Sequence, residues 1–270
     1  MSLFRCLAAV ILAVAACQVA AAVPAAPSLF LDELTWTELR DEIRAGKTTV
    51  IVPVGGSEQS GPHIVLGKHN VRAKALAARI AASLGNALVA PVVAYVPEGS
   101  IDPPAGHMRF AGTISIPEAA FEATLEGAAR SFRLAGFRDI VLIGDHGGYQ
   151  KNLAKVAATL DRVWAATPVR VHAIEEYYRA ADRDFAQALR KQGFSDAEIG
   201  THAGAADTSL SMAVDEQLVR SAHLHDGSAL DAANGVHGDP RRASAAAGRA
   251  GVDLIVARTR DAIQREVARR

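Results

Sequence analysis

The chain has 270 residues, of which 29 are basic, 29 are acidic and half are hydrophobic. The balanced charge provides no basic face, which argues against nucleic acid as a partner. The length fits one large domain with a substantial core, and the only cysteines are Cys6 and Cys17.

Residues 1–22 have the layout of a secretory signal, with Arg5 ahead of a short apolar run and small residues after it. The run is short for a membrane span, so none is predicted. Two kinds of processing are consistent with this segment. One is cleavage after the alanines at 20–22, and the other is lipidation at a lipobox that ends in Cys17. We therefore predict an exported protein, periplasmic or extracellular, with a lipid anchor through Cys17 as the alternative. Loss of residues 1–22 removes both cysteines, which excludes disulfides and thiol catalysis.

After an extension over residues 23–34, predicted helices and strands alternate through a single domain, residues 35–270. Thr35 and Glu38 have the spacing of a capping box and begin a helix over 35–43. Apolar runs predict strands over 48–54, 87–96, 139–144 and 169–177. Helical spacing predicts helices over 70–84, 117–136, from 149 onward, and 241–267. The alternation predicts an α/β fold, a three-layer α/β/α sandwich with a mostly parallel central sheet.

Polar residues cluster after the predicted strands, where ligands bind in open parallel sheets. The first three strands are followed by GGSEQSGPHIVLGKHN, PEGSIDPPAGHMRFAGT and GDHGGYQKN, and THAGAADTSLS comes later in the chain. Each segment carries a histidine and at least one carboxylate. These side chains together suit zinc, manganese or a similar divalent ion.

In order along the chain, these segments resemble the motifs of the creatininase family of metal-dependent amidohydrolases. The family has a Glu-x-His-Gly-x-His loop that ends in an aspartate, then Gly-His-Gly-Gly-Asn, then His-Ala-Gly followed by Glu-Thr-Ser. The corresponding segments here are EQSGPHIVLGKH, GDHGGYQ and HAGAADTS, and FAGTISI and GVHGDPRRAS are also similar. The resemblance runs from about residue 35 to the last helix. It implies a catalytic domain, a small-molecule substrate and a homo-oligomer.

The resemblance also implies a set of metal ligands. Glu58, His146 and Asp207 stand at ligand positions, Asp207 in place of a glutamate. Ser60 replaces a ligand histidine, and His69 replaces the aspartate that bridges two metals in the family. Because an imidazole normally gives one nitrogen to one metal, these replacements argue against an ordinary two-metal site. We predict one divalent ion per chain, zinc or manganese, held by Glu58, His69, His146 and Asp207.

Four further residues complete the predicted site. His202 matches the histidine of His-Ala-Gly and is the predicted catalytic residue, which would shuttle protons or stabilise an oxyanion. Asp145 is a partner of a ligand or a substitute ligand. His107, and Ser60 as a replacement, are predicted to line the pocket.

Single residues have structural explanations as well. Glu58 and Asp207 could cap helices, His69 could be a surface residue at a helix start, and His146 could belong to a tight turn. Their joint occurrence in loops at one sheet edge favours a hydrolase that cleaves a linear or cyclic amide C–N bond in a small molecule. Two alternatives stay open: an inactive small-molecule-binding member of the family, and a site rebuilt for a different small-molecule reaction.

Overall fold

The computed structural model describes residues 28–269, so the predicted signal with Cys17, and residues 23–27 of the predicted extension, lie outside the described residues. The central sheet of the described chain has four strands in the order β2-β1-β3-β4. Every neighbouring pair in it is parallel. The strands are β1 (Thr49–Val54), β2 (Ala87–Val89), β3 (Asp139–Gly144) and β4 (Arg170–Ala173).

Helices precede, connect and follow the strands. They are α1 (Trp36–Arg44), α2 (Lys68–Leu84), α3 (Glu118–Ala135), α4 (Gln150–Val163), α5 (Glu175–Arg179), α6 (Phe185–Lys191), α7 (Asp196–Ile199), α8 (Ala205–Val214) and α9 (Ala245–Ala268). A π-helical turn over Ala180–Asp184 joins α5 to α6. Among the described residues, no helix combines the length and the hydropathy needed to cross a membrane.

The sheet is covered on both faces, which confirms the predicted three-layer sandwich. Alternate residues of β1 point to opposite faces, because side chains in a strand alternate. Ile51 packs into a core with residues of α2 and α9, such as Leu76 and Ile255. Val50 and Val52 pack into the opposite core with residues of α3 and α4, such as Phe121, Leu125, Leu153 and Val156.

Two predicted strands are longer than the observed ones. The ladder of β2 ends at Val89, close to Pro91, which has no N–H to donate. The chain stays beside β1 through isolated contacts, including the Val93 N–H bond to the Pro53 carbonyl at 3.0 Å. Strand β4 ends at Ala173, and Glu175 and Glu176 form the first turn of α5 instead of a strand end. Acidic side chains are favourable in a first helical turn, because the helix dipole is positive there.

The carboxyl ends of the strands carry the polar segments singled out in the sequence. Glu58 follows β1, the loop after β2 leads to a 3-10 turn at Gly106–Arg109, and Asp145 and His146 follow β3 directly. Helix α8 begins beside them and carries Asp207 in its first turn. The parallel arrangement therefore brings distant segments of the chain to one edge of the sheet, as expected for a doubly covered sheet.

Candidate functional site

Glu58 is the centre of the polar cluster at this edge, and its side chain is fully buried. Its Oε2 accepts a hydrogen bond from His69 Nε2 at 2.9 Å. Its Oε1 has no hydrogen-bond partner among the described residues, although His107 Nε2 lies 3.1 Å away and His146 Nε2 lies 3.3 Å away. Burial alone would raise the pKa of Glu58. The proximity of His146, the hydrogen bond from His69 and the charge of Lys68 outweigh burial, and the pKa of Glu58 is well below its ordinary value.

A second buried carboxylate, Glu98, lies beside the first. Its two oxygens have no hydrogen-bond partner in the described part of the chain, while His146 Nδ1 lies 3.3 Å from Oε2. Burial is the main reason that its pKa is raised to about 7. The backbone of Gly56 lies close to this carboxylate, and a Cβ at Gly56 would lie 2.6 Å from Glu98 Oε1. Glycine at this position therefore leaves room for the carboxylate.

Gln59 organises the histidines on the other side of Glu58. Its side-chain amide donates a hydrogen bond to His107 Nδ1 at 2.7 Å, and its backbone carbonyl lies 2.9 Å from His202 Nε2. Burial lowers the pKa of His107. Burial, and then the charge of Lys68, lowers the pKa of His202 to about 4. Both imidazoles are therefore neutral at pH 7. The lone pair of His107 accepts a hydrogen bond from the Gln59 amide, while His202 keeps Nδ1 as an acceptor.

Backbone pairing fixes the segment that carries His202. The His237 N–H donates to the His202 carbonyl at 2.8 Å, and the Thr201 N–H donates to the His237 carbonyl at 2.7 Å. The next residue, Ala203, has a φ of 54°, which is uncommon for a residue other than glycine. In this conformation its N–H donates to Asp207 Oδ2 at 3.1 Å. The turn thus connects His202 to the start of α8.

Helix α2 presents two buried cations to the cluster. Lys68 and Arg72 are one turn apart, and both donate hydrogen bonds to Asp207. Arg72 also donates to Asp145 Oδ2 through Nε at 2.9 Å and Nη2 at 2.7 Å. The Tyr177 hydroxyl donates to the other oxygen of Asp145 at 2.7 Å. These cations hold the pKa of both aspartates below the ordinary value, although burial acts in the opposite direction.

His69 lies between two carboxylates. Its Nε2 bonds Glu58 Oε2, and its Nδ1 lies 2.7 Å from Asp145 Oδ2. A carboxylate only accepts hydrogen bonds, so a ring nitrogen of His69 that bonds either carboxylate acts as the donor. In this arrangement both ring nitrogens of His69 face carboxylate partners.

The cluster forms the floor of a cavity of about 780 Å³. Charged and polar side chains of the cluster line this cavity together with Gly106, Phe110, Tyr178, Ala206 and Leu210. Cavities of ~300–1,000 Å³ with a few converging polar groups are typical of small-molecule sites. The cavity therefore suits a small polar molecule.

Two groups of potential metal ligands share Glu58. One is Glu58 with Glu98 and His146, the other is Glu58 with His107 and His202, and within each group the ligand atoms lie within 4.8 Å of one another. Glu58, His69, His107, Asp145, His146, His202 and Asp207, all predicted from the sequence, line the same cavity. His69 and Asp207 have the partners described above and fall outside both groups, so their roles as ligands stay predictions. Ser60 is fully buried, and its backbone pairs with Ile64.

Sequence reasoning overlooked Glu98, Gln59 and the two cations of α2. Glu98 stands in the loop after the second predicted strand, a position that could have drawn attention to it. The periodicity places Arg72 off the apolar stripe of its helix, yet its side chain is buried. Its partners come from segments far away in the sequence, and no local pattern reveals them.

Known proteins resemble this chain in both sequence and structure. The creatinine amidohydrolase of Pseudomonas putida is 29% identical over 198 residues, which are 71% of this chain and 74% of that protein. The mycofactocin precursor peptide peptidase of Mycolicibacterium smegmatis is 39% identical over 116 residues, 41% of this chain and 44% of that protein. A crystal structure of a creatinine amidohydrolase superposes with a TM-score of 0.74 and 26% identity, and the match covers 90% of this chain and 99% of that one.

Solved relatives also include metal-bound forms. A manganese creatininase matches with a TM-score of 0.73 and 27% identity over 89% of this chain and 99% of its own. A variant creatininase of Zn–Zn type has a TM-score of 0.71 at 27% identity over 90% of this chain and 99% of its own. The family model for creatininase, described as creatinine amidohydrolase, matches residues 32–263. Since that match spans most of the chain, this protein belongs to the creatininase family.

Proposed function

We propose that this protein is a metal-dependent hydrolase that cleaves a linear or cyclic amide C–N bond in a small molecule. The observation that carries the proposal is a pair of buried carboxylates with His146 between them. In the described part of the chain, Glu58 Oε1 and both oxygens of Glu98 lack a hydrogen-bond partner. Buried charge without compensation is unfavourable, and a cation removes that penalty.

The donor set fits a divalent metal ion. Carboxylate oxygens and neutral imidazole nitrogens are ligands of zinc and manganese, and the solved relatives include manganese and zinc forms. We assign the ion to Glu58, Glu98 and His146, because this group contains the carboxylate oxygens without hydrogen bonds. An ion held there would polarise the carbonyl of the scissile bond and lower the pKa of a water molecule.

His202 is the proposed proton carrier. Its ring is neutral at pH 7 because its pKa is lowered to about 4, and it lines the cavity. With Nε2–H donating to the Gln59 carbonyl at 2.9 Å, its Nδ1 is free to accept a proton from the attacking nucleophile. The same histidine can return that proton to the leaving nitrogen. His107, held by the Gln59 amide, faces the same space and can donate to a developing oxyanion through Nε2.

A short peptide is the second candidate substrate. One curated relative is a mycofactocin precursor peptide peptidase, so amide cleavage within the family is not limited to cyclic compounds. A cavity of about 780 Å³ is large for creatinine alone, and it leaves space for additional substrate groups. Peptide and cyclic amide place the same carbonyl–nitrogen bond over the cluster. The residues that line the cavity would determine which of these two substrates binds.

The test combines metal content with product analysis. Elemental analysis of the purified protein is expected to find tightly bound zinc or manganese. Incubation with a panel of cyclic ureides, lactams, linear N-acyl amines and short peptides should release an amine and a carboxylate from at least one member. Release of any other product pair would favour a site rebuilt for a different reaction.

Matched histidine variants show whether the metal and the activity belong to this cluster. His146→Ala should lose bound metal and activity while it keeps its circular dichroism spectrum. His223→Ala, at a half-exposed histidine outside the cavity, should keep both. Full metal occupancy in folded His146→Ala would contradict the assignment. A wild-type protein that takes up no metal after dialysis against Zn²⁺ and Mn²⁺ would instead favour a binding protein.

We also propose export of the protein and assembly into a homo-oligomer, both of which rest on the sequence and on the family. Expression with residues 1–270 and N-terminal sequencing of the product would locate the cleavage site. Lipid labelling would reveal modification at Cys17 if that alternative holds. Light scattering of the purified domain would give the number of subunits.

A further inference from the structure

Lys68 places a buried basic group between two carboxylates of the cluster, Glu58 and Asp207. Its side chain is 1% exposed, and its ammonium donates to Asp207 Oδ2 and lies 3.8 Å from Glu58 Oε2. It therefore lies between two carboxylates that come from opposite sides of the cluster. A buried charge in this position compensates both carboxylates, which is the electrostatic role of a metal ion between them.

Asp207 has little capacity left for a metal. Its Oδ2 accepts from Lys68 and from the Ala203 N–H at 3.1 Å, and its Oδ1 accepts from Arg72. Three donors hold the carboxylate in place, and two of them are basic side chains. An ion at Asp207 would have to displace at least one of these charge-assisted bonds, which are stronger than bonds between neutral groups.

On the Glu98 side of Glu58, the carboxylate oxygens lack such donors in the described part of the chain. Glu58 Oε1 and both oxygens of Glu98 have no hydrogen bond among the described residues. His107 Nε2 and His146 Nε2 lie 3.1 Å and 3.3 Å from Glu58 Oε1, and His146 Nδ1 lies 3.3 Å from Glu98 Oε2. Compensated carboxylates thus lie on the α2 side of Glu58, and uncompensated ones lie on the Glu98 side.

Resting on the function proposed above, we propose that Lys68 is an internal cation that takes the place of a second metal ion. The protein then holds one divalent ion per chain, on the Glu98 side of Glu58. A second dication between Glu58 and Asp207 would meet the ammonium at close range in a buried site, where repulsion is strong. The assignment also explains the buried position of Lys68, whose ammonium would otherwise be exposed to solvent.

The experiment titrates metal-free protein with Zn²⁺ and separately with Mn²⁺ in a calorimeter, with elemental analysis of the saturated product. Wild-type protein is expected to bind one ion per chain. Lys68→Met keeps the apolar stem and removes the charge. It is expected to bind the first ion about tenfold more tightly or better, and to take up a second ion at higher concentration. Lys74→Met, on the exposed side of the same helix, is the matched control and should behave as wild type.

Three results would overturn the inference. They are two ions of similar affinity in the wild-type protein, unchanged affinity and stoichiometry in Lys68→Met, and loss of the ion from folded Lys68→Met. If Lys68→Met does not fold, the wild-type stoichiometry still decides: two ions refute the inference, and one ion supports it. Failure of the proposed function has a different signature, because then the wild-type protein would bind no metal and hydrolyse no amide.

Discussion

Glu98→Gln should change the stability and the metal affinity of this protein in opposite directions. In the metal-free protein, burial raises the pKa of Glu98 from 4.5 to about 7. The folded chain therefore binds a proton more readily than the unfolded chain between these values, and stability falls as the pH rises through this window. The difference corresponds to about 3 kcal/mol once the group is fully ionised. Glutamine has a similar shape and no charge, so it avoids that penalty.

We expect metal-free Glu98→Gln to gain about 2 kcal/mol at pH 8, because the buried amide still loses some hydrogen bonding to water. The gain should shrink to near zero at pH 5, where the wild-type carboxyl is protonated. Urea unfolding at both pH values measures this gain in the free energy of unfolding, and Glu216→Gln, at an exposed position, is the control. The same variant should bind Zn²⁺ at least about tenfold more weakly in calorimetry. Equal stability at pH 8, or unchanged metal affinity, would refute the reasoning.

Two further variants test groups next to the cluster. Burial lowers the pKa of His63 to about 4, so wild-type stability should fall by up to about 3 kcal/mol from pH 6.5 to pH 4 as the unfolded chain takes up the proton. His63→Gln, which still reaches Thr208, should flatten that part of a urea-unfolding pH profile, and an unchanged slope would count against the assignment. Gly235→Ala and Gly227→Ala both place alanine at positive φ, which costs about 1 kcal/mol. Only the Cβ at Gly235 overlaps Gln59, so only that variant should lower kcat/KM, by about tenfold; equal losses would point to backbone strain alone.

Much of the fold follows from local patterns in the sequence. The run at 139–144 is apolar throughout apart from its first and last residues, and β3 occupies the same residues. The capping box of Thr35 and Glu38 is present, and α1 begins at the next residue. The run at 87–96 is equally apolar, but strand pairing also needs a partner and a donor at each position. Hydropathy alone does not show where that pairing ends.

The sequence predicts residues of the site only where the order of strands and loops brings them to one edge of the sheet. Glu58, His107, His146 and His202 converge because parallel strands deliver their following loops to one edge. Lys68 and Arg72 have the one-turn spacing of a solvated helix face, and only the tertiary fold provides Asp145 and Asp207 as partners. A burial pattern that depends on partners more than 70 residues away cannot be inferred from one helix.

His69 and the two basic residues near it on α2 all contact carboxylates of the cluster. His69, predicted from the sequence to replace an aspartate ligand, lies between two carboxylates, Glu58 and Asp145. Its neighbours on α2, Lys68 and Arg72, are cations that bind the remaining carboxylates, Asp145 and Asp207. Helix α2 therefore supplies positive charge on its side of Glu58, while the loops after β2 and β3 supply uncompensated ligands on the other. The predicted change from an aspartate ligand to a histidine is consistent with the proposed role of Lys68, because a helix that already provides the charge would make a second metal ion unnecessary.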